Sequence, residues 1–247
     1  MATQVDPMHA AQRSRFFDQL RERRAAAVIP TSTPKTRSND TEYRFRADSD
    51  FWYLSGFDEP GAVLVFLPAL SEEQADRCVL FLRPLDKELE IWHGRRLGID
   101  AAPKALGVDE ARSIDEVWDD MPGLLRGYGR IVWRTGQDEG RDRDFLQVLG
   151  DLRRSARGRI AAPIEVLDPA PILHEQRLRK SPAELDLMRR AAEITGEAHA
   201  LCMQAASPGT GEHEVDALLE YTFRRRGGAG PAYTNIVAGG ALSLIHI

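Results

Sequence analysis

The run Ser181-Pro182-Ala183-Glu184 constrains this chain more than any other stretch. A serine able to cap free backbone N–H groups, a proline at the first helical position and a glutamate three residues after the serine together specify a helix start. Just upstream, Ala161-Ala162-Pro163, Pro169 and Pro171 break any continuing element. The two signals predict a first unit over 8–165, a linker over 166–180 and a second unit over 181–247. The helix that opens the second unit is predicted to run to about Ala205, with an apolar stripe of Leu185, Met188, Ala192, Ile194, Ala198, Leu201 and Cys202. Arg189, Arg190, Glu193 and Glu197 supply its wet side, and Pro208-Gly209 stops it. A second helix, from about Glu212 to Arg226, turns Val215, Leu218, Leu219 and Phe223 inward. It ends in basic residues before Gly227-Gly228, as the helix dipole and a glycine cap favour. Ile236-Val237 is expected to begin a strand.

The first unit reads as alternating helices and strands. A helix from Met8 to Arg24 carries Phe16, Phe17 and Leu20 on one face, and Ala25 to Pro30 is a short strand. Thr31 to Asp48 is polar and without period, either a long loop or a structured crossing segment. Phe51 to Leu54, Gly61 to Leu67 and Cys78 to Leu82 resemble consecutive strands, and Lys87 to Trp92 reads as another. Short helices are expected over Ala101–Leu106 and Ile114–Leu125, a strand over Ile131–Trp133 and a helix over Asp142–Arg157. This order predicts an open α/β sheet.

Composition narrows the function classes. Apolar residues at 43% and charged residues at 29% supply a real core and exclude wholesale disorder. Lys plus Arg number 33 against 38 Asp plus Glu, a net charge of -5, so nucleic acid is an unsuitable partner. No run approaches the roughly 20 apolar residues of a membrane span, and Met1 to Leu20 lacks a signal-peptide pattern, so a cytoplasmic protein is expected. Cys78 and Cys202 stand far apart without CxxC, which suits reduced thiols.

Common catalytic patterns are missing: GxGxxG, GxxxxGK[ST], GxSxG and HExxH do not occur. His174-Glu175 approaches the last, but Leu178 stands where its second histidine belongs. Glu212-His213-Glu214 has metal-ligand letters, yet adjacent helical positions point about 100° apart and cannot converge on one ion. His199 beside the apolar stripe reads as a hydrogen-bonded, partly buried histidine, and Arg95-Arg96 as a surface or subunit-contact pair.

The segment from Glu42 to Pro60, centred on Ser49-Asp50-Phe51-Trp52-Tyr53-Leu54-Ser55-Gly56-Phe57, closely resembles the N-terminal domain of the Xaa-Pro aminopeptidases of the aminopeptidase P family. Three further stretches extend the resemblance. They are Glu90-Ile91-Trp92-His93-Gly94-Arg95-Arg96-Leu97-Gly98, the run His174 to Glu184, and Pro231-Ala232-Tyr233-Thr234-Asn235-Ile236-Val237.

The resemblance implies a creatinase-like α/β sheet domain followed by the incomplete start, two helices and a strand, of a pita-bread α+β domain. It implies a dinuclear metallopeptidase that releases the first residue of peptides with proline second. Its two ions, usually manganese, would be held by two Asp, one His and two Glu downstream of Val237. Trp92 is then expected to reach a neighbouring subunit's substrate cleft in a homo-oligomer, and Tyr233 to lie beside the metal site, with core packing the alternative for each. No Asp or Glu follows Glu220, so this chain by itself is expected to bind no manganese and to be inactive. Leu242 to Ile247 departs from the family pattern and resembles a translated sequencing adapter. A prolidase, a creatinase-like hydrolase and a non-catalytic scaffold of the same fold are the alternatives.

Overall fold

Asp6 accepts a hydrogen bond from the Met8 amide (2.9 Å), and Pro7 follows it, so the first helix begins where its missing N–H costs nothing. In the computed structural model, which describes residues 6–156 and 162–242, that helix is α1 (Pro7–Arg23). It leads into β1 (Ala25–Pro30), the hairpin β2 (Thr36–Ser38) and β3 (Thr41–Glu42), α2 (Ser49–Ser55), β4 (Val63–Leu67) and β5 (Arg77–Leu82). Next come α3 (Lys87–His93), α4 (Ala102–Leu106), β6 (Glu110–Ser113), α5 (Val117–Leu124), β7 (Arg130–Val132), α6 (Glu139–Ser155), β8 (Glu165–Leu167) and α7 (Ala170–Leu178). The remaining helices are α8 (Pro182–Ala205) and α9 (Glu212–Arg225). The chain divides into two compact units, 1–179 and 180–247.

In the first unit six strands form one sheet in the order β6-β5-β4-β1-β7-β8. The β1–β4 and β4–β5 pairs are antiparallel, while β5–β6, β1–β7 and β7–β8 are parallel. The central strands are apolar without interruption because helices cover both faces. Ala25, Ala27 and Ile29 of β1 join Phe16, Leu20, Phe51, Leu54 and Leu173 on one face. Ala26 and Val28 join Met121, Phe145, Val148 and Leu152 on the other. The period of two that sends neighbours to opposite faces thus serves two cores at once.

One buried cation ties distant parts of this unit together. Arg13 of α1 donates from Nη1 to Leu54 O (2.9 Å) and from Nη2 to Leu106 O and Gly107 O (both 2.8 Å). These carbonyls lie at the C-terminal ends of α2 and α4, where a positive charge meets the negative end of each helix. The predominant effect of burial lowers the Arg13 pKa from its ordinary value, opposed by the nearby Cys78 and Asp109.

Four expectations are corrected. Phe51 to Leu54 is helical, because Asp48 accepts from the Asp50 and Phe51 amides (2.9 and 3.1 Å) and Gly56 closes the turn at φ 66°. A side chain at Gly56 would also meet the His9 ring at 2.6 Å. Lys87 to Trp92 likewise lies in α3, capped by Asp86. Ile236-Val237 forms no strand: among the described residues of the second unit no strand exists to pair with it. Over 166–180, where a linker was expected, the chain forms most of β8 and all of α7, because Ile172 and Leu173 bury themselves in the first core. Of the Leu242–Ile247 tail, 243–247 lie outside the described residues.

The second unit begins as its sequence specifies. Ser181 Oγ accepts from the Glu184 amide (3.3 Å), and Glu184 Oε2 accepts from the Ser181 amide (2.9 Å). α8 and α9 pack along a narrow seam of Ala198, Cys202 and Leu219, with Val215, Leu218, Phe223 and Val237 partly covered. Much of the predicted stripe stays on the surface, including Leu185, Met188 and Leu201. Among the described residues no helix is long and apolar enough to cross a membrane.

Candidate functional site

The sequence singled out Trp92 and Tyr233, which belong to the first and second units respectively. Asp86 starts the helix bearing Trp92 by accepting from the Glu88 and Leu89 amides (3.1 and 3.0 Å). No residue of α3 is buried, and Trp92 is 82% exposed beside the equally bare Ile91. The turn that follows is nevertheless anchored. Gly94 takes φ 82°, Arg96 Nη1 donates to Pro84 O (3.0 Å), and the Leu97 amide donates to Glu59 Oε1 (2.8 Å). Burial lowers the Arg83 pKa from its ordinary value, as does neighbouring Arg96, with Glu59 at 3.6 Å opposing. The arrangement holds an indole ring out on a fixed base, a form suited to contact rather than to chemistry. Arg96 serves the turn, while Arg95 is exposed.

Tyr233 is 76% exposed and lines a cavity of about 410 Å³ with Ile194, Thr195, His199, Phe223 and Asn235. His199 is exposed rather than partly buried. Its Nδ1 lies 2.9 Å from Thr195 O, and since a carbonyl only accepts, Nδ1 is the donor. Asn235 Nδ2 donates to Asp216 Oδ1 (2.7 Å), which pins the segment after Tyr233 to α9. The cavity is apolar with a phenol and an imidazole at its wall, fit for a compact apolar group with a polar end.

Glu212 and Glu214 form no metal cage. Glu212 Oε1 accepts from the Gly239 amide and Glu214 Oε2 from the Gly211 amide, both at 2.7 Å, so Glu212-His213-Glu214 is the capped start of α9. Among the described residues no three His, Cys, Asp or Glu side chains gather as a metal ion needs. The residues present do not fit a two-ion centre. The thiols offer no nucleophile either: complete burial pushes Cys78 up to about 12, and burial raises Cys202 as well.

A further constellation was not recognised in the sequence. Asp50, 2% exposed, receives Arg134 Nη2 at 2.7 Å and Arg177 Nη1 at 2.5 Å, and His174 Nε2 lies 3.7 Å away. His174-Glu175 is therefore part of a helix docked on α2, with the histidine beside a carboxylate rather than a metal. The available signal was an aspartate inside an otherwise apolar run and the spacing of His174 and Arg177, which places both on one helix face.

Residues 9–133 match the family described as aminopeptidase P, N-terminal domain, and 186–246 match metallopeptidase family M24. The Xaa-Pro aminopeptidase of Escherichia coli is 41% identical over 216 residues, covering 87% of this chain and 48% of that protein. That of Haemophilus influenzae is 37% identical over 234 residues, 95% and 51% of the two chains. Among solved structures, a point variant of Escherichia coli aminopeptidase P superposes with TM-score 0.85 at 37% identity over 93% of this chain and 52% of its own. Proline aminopeptidase P II from Yersinia pestis gives 0.82 at 38% over 91% and 52%. The chain spans about half the length of the relatives it matches.

Proposed function

Because this chain belongs to the aminopeptidase P family, we propose that it is the N-terminal portion of a dinuclear Xaa-Pro aminopeptidase, releasing the first residue from peptides whose second residue is proline. The observation that carries the reading is the order of the two matches, an N-terminal domain at 9–133 followed by the opening of a metallopeptidase domain at 186–246. In this reading 8–165 is the N-terminal domain, β8 and α7 complete its core before the chain leaves it, and 181–247 starts the catalytic domain. The metals, manganese in our reading, would be held by residues of the other half of the protein. The described residues supply no cage for them, so bond cleavage is not assigned to any side chain here.

What this portion contributes is recognition. The peptide nitrogen of proline has no hydrogen, so a site selecting it works by shape and by apolar contact. Trp92, held out on the capped helix α3, is proposed to cover substrate in a neighbouring subunit of a homo-oligomer, and Tyr233 to flank the substrate within its own catalytic domain. A cytoplasmic setting belongs to this reading, in keeping with two cysteines that stand far apart without CxxC. The test is the complete reading frame, purified with manganese and assayed on an Xaa-Pro peptide and on its Xaa-Ala counterpart. Cleavage restricted to the proline peptide is expected, with kcat/KM reduced in Trp92→Ala. Equal cleavage of both peptides, or none of either, would overturn the proposal.

A further inference from the structure

Helix α7 docks on the first unit through its own side chains. Ile172 and Leu173 enter the core, and Arg177 reaches Asp50 at 2.5 Å. Against these, both amide atoms of Gln176 are buried with no hydrogen-bond partner, an arrangement that docking imposes and water would relieve. The strand before it, β8, has three residues and lies at the sheet edge beside β7. Two residues after its end the second unit begins.

The counter-ions of Asp50 are divided unequally between what would move and what would stay. Arg177 is on α7, whereas Arg134 follows β7 and donates to the other carboxylate oxygen at 2.7 Å. Removing the last partner of a buried carboxylate is prohibitive, but removing one of two is not. His174 also leaves with α7, and the remaining charged neighbour of Arg134, Asp168 at 4.0 Å, precedes that helix.

From this geometry we propose that α7 is a latch: it undocks as a unit while the sheet stays folded, with Arg177 as the releasable bolt on Asp50 and Arg134 as the counter-ion that makes release tolerable. Undocking would lengthen the tether between the two units by the nine residues of α7. This is local opening, in which one element exchanges with solvent at lower cost than the fold as a whole.

Hydrogen exchange followed by mass spectrometry on the 247-residue chain tests the latch, comparing a peptide spanning 170–178 with one spanning β4 and β5. In the unaltered chain the α7 amides should exchange faster than those of β4 and β5. Arg177→Met should speed α7 exchange by about tenfold or more, the value of a charged hydrogen bond, with the strands unchanged. Gln176→Met should slow it. Arg134→Met carries the discriminating sign: opening would now strand Asp50, so α7 should exchange more slowly relative to the strands. If Arg134→Met and Arg177→Met both loosen α7, the cluster is an ordinary structural ion network and the latch is overturned. Equal exchange of α7 and the strands in the unaltered chain overturns it too.

Discussion

The two units contain comparable amphipathic helices and bury them to different extents. In the first, α1 and α2 on one side and α5 and α6 on the other sandwich a six-stranded sheet, so Phe16, Phe51, Phe66, Phe81 and Phe145 are wholly covered. In the second, α8 and α9 meet along one seam, and Leu187, Met188, Met203 and Tyr221 face outward. The contrast teaches that an apolar stripe written into a helix states a demand for cover and does not say what supplies it. Propensity, capping and charge pairing form α8 as surely as α1, yet only the first unit has a sheet to cover the stripe.

The comparison breaks most sharply at Phe66, which packs edge-on to Phe16 and Phe17 at 5.0 and 5.3 Å. Phe66→Ala should cost about 3–5 kcal/mol in urea unfolding, whereas Leu201→Ala on the open side of α8 should cost less than about 1 kcal/mol. Equal losses would mean that the second unit is covered in solution.

The next contrast is alkaline. Cys78 is raised from 9.0 to about 12 by burial, while the rise at Cys202 is smaller. The unfolded thiol ionises first, so this contribution to the first unit's stability is fully present below pH 9 and is lost as pH climbs toward 12. The steepest loss is about 1.4 kcal/mol per pH unit for each such group. Tyr128, also raised to about 12 by burial, adds to the slope. Urea midpoints from pH 8 to 11 should fall accordingly, and Cys78→Ala should flatten the fall. A thiol reagent should modify Cys202 in the native chain before Cys78.

Smaller still is the capping box. Ser181→Ala should lower the stability of the second unit by about 1 kcal/mol and leave the first untouched, read as separate transitions in circular dichroism. Least of all, Trp92→Ala should shift stability by less than about 0.5 kcal/mol, since the ring touches little. A loss of several kcal/mol would return Trp92 to a core role.

How far the sequence could be read depended on where each signal's partners lay. The start of α8 needed only Ser181 through Glu184, and β1, β4 and β5 announced themselves as unbroken apolar runs. Phe51-Trp52-Tyr53-Leu54 misled because its residue types favour strands, while the deciding signals, Asp48 and Gly56, stood outside the run. Trp92 misled in its helix for another reason: α3 buries nothing, so it carries no period to detect. The exposure of Tyr233 is visible only in three dimensions, and the Asp50 cluster joins residues 84 and 127 positions apart. Such distances leave no local pattern.

The grip of Arg13 on three carbonyls has a meaning in time. Its partners stand 41, 93 and 94 residues away, so the contacts close only after α1, α2 and α4 have been brought together. Contacts that close after the folding barrier slow unfolding and leave the rate of folding unchanged. Arg13 is thus expected to act as a brake on unfolding: in stopped-flow kinetics Arg13→Met should leave the speed of folding nearly unchanged and shorten the lifetime of the folded unit.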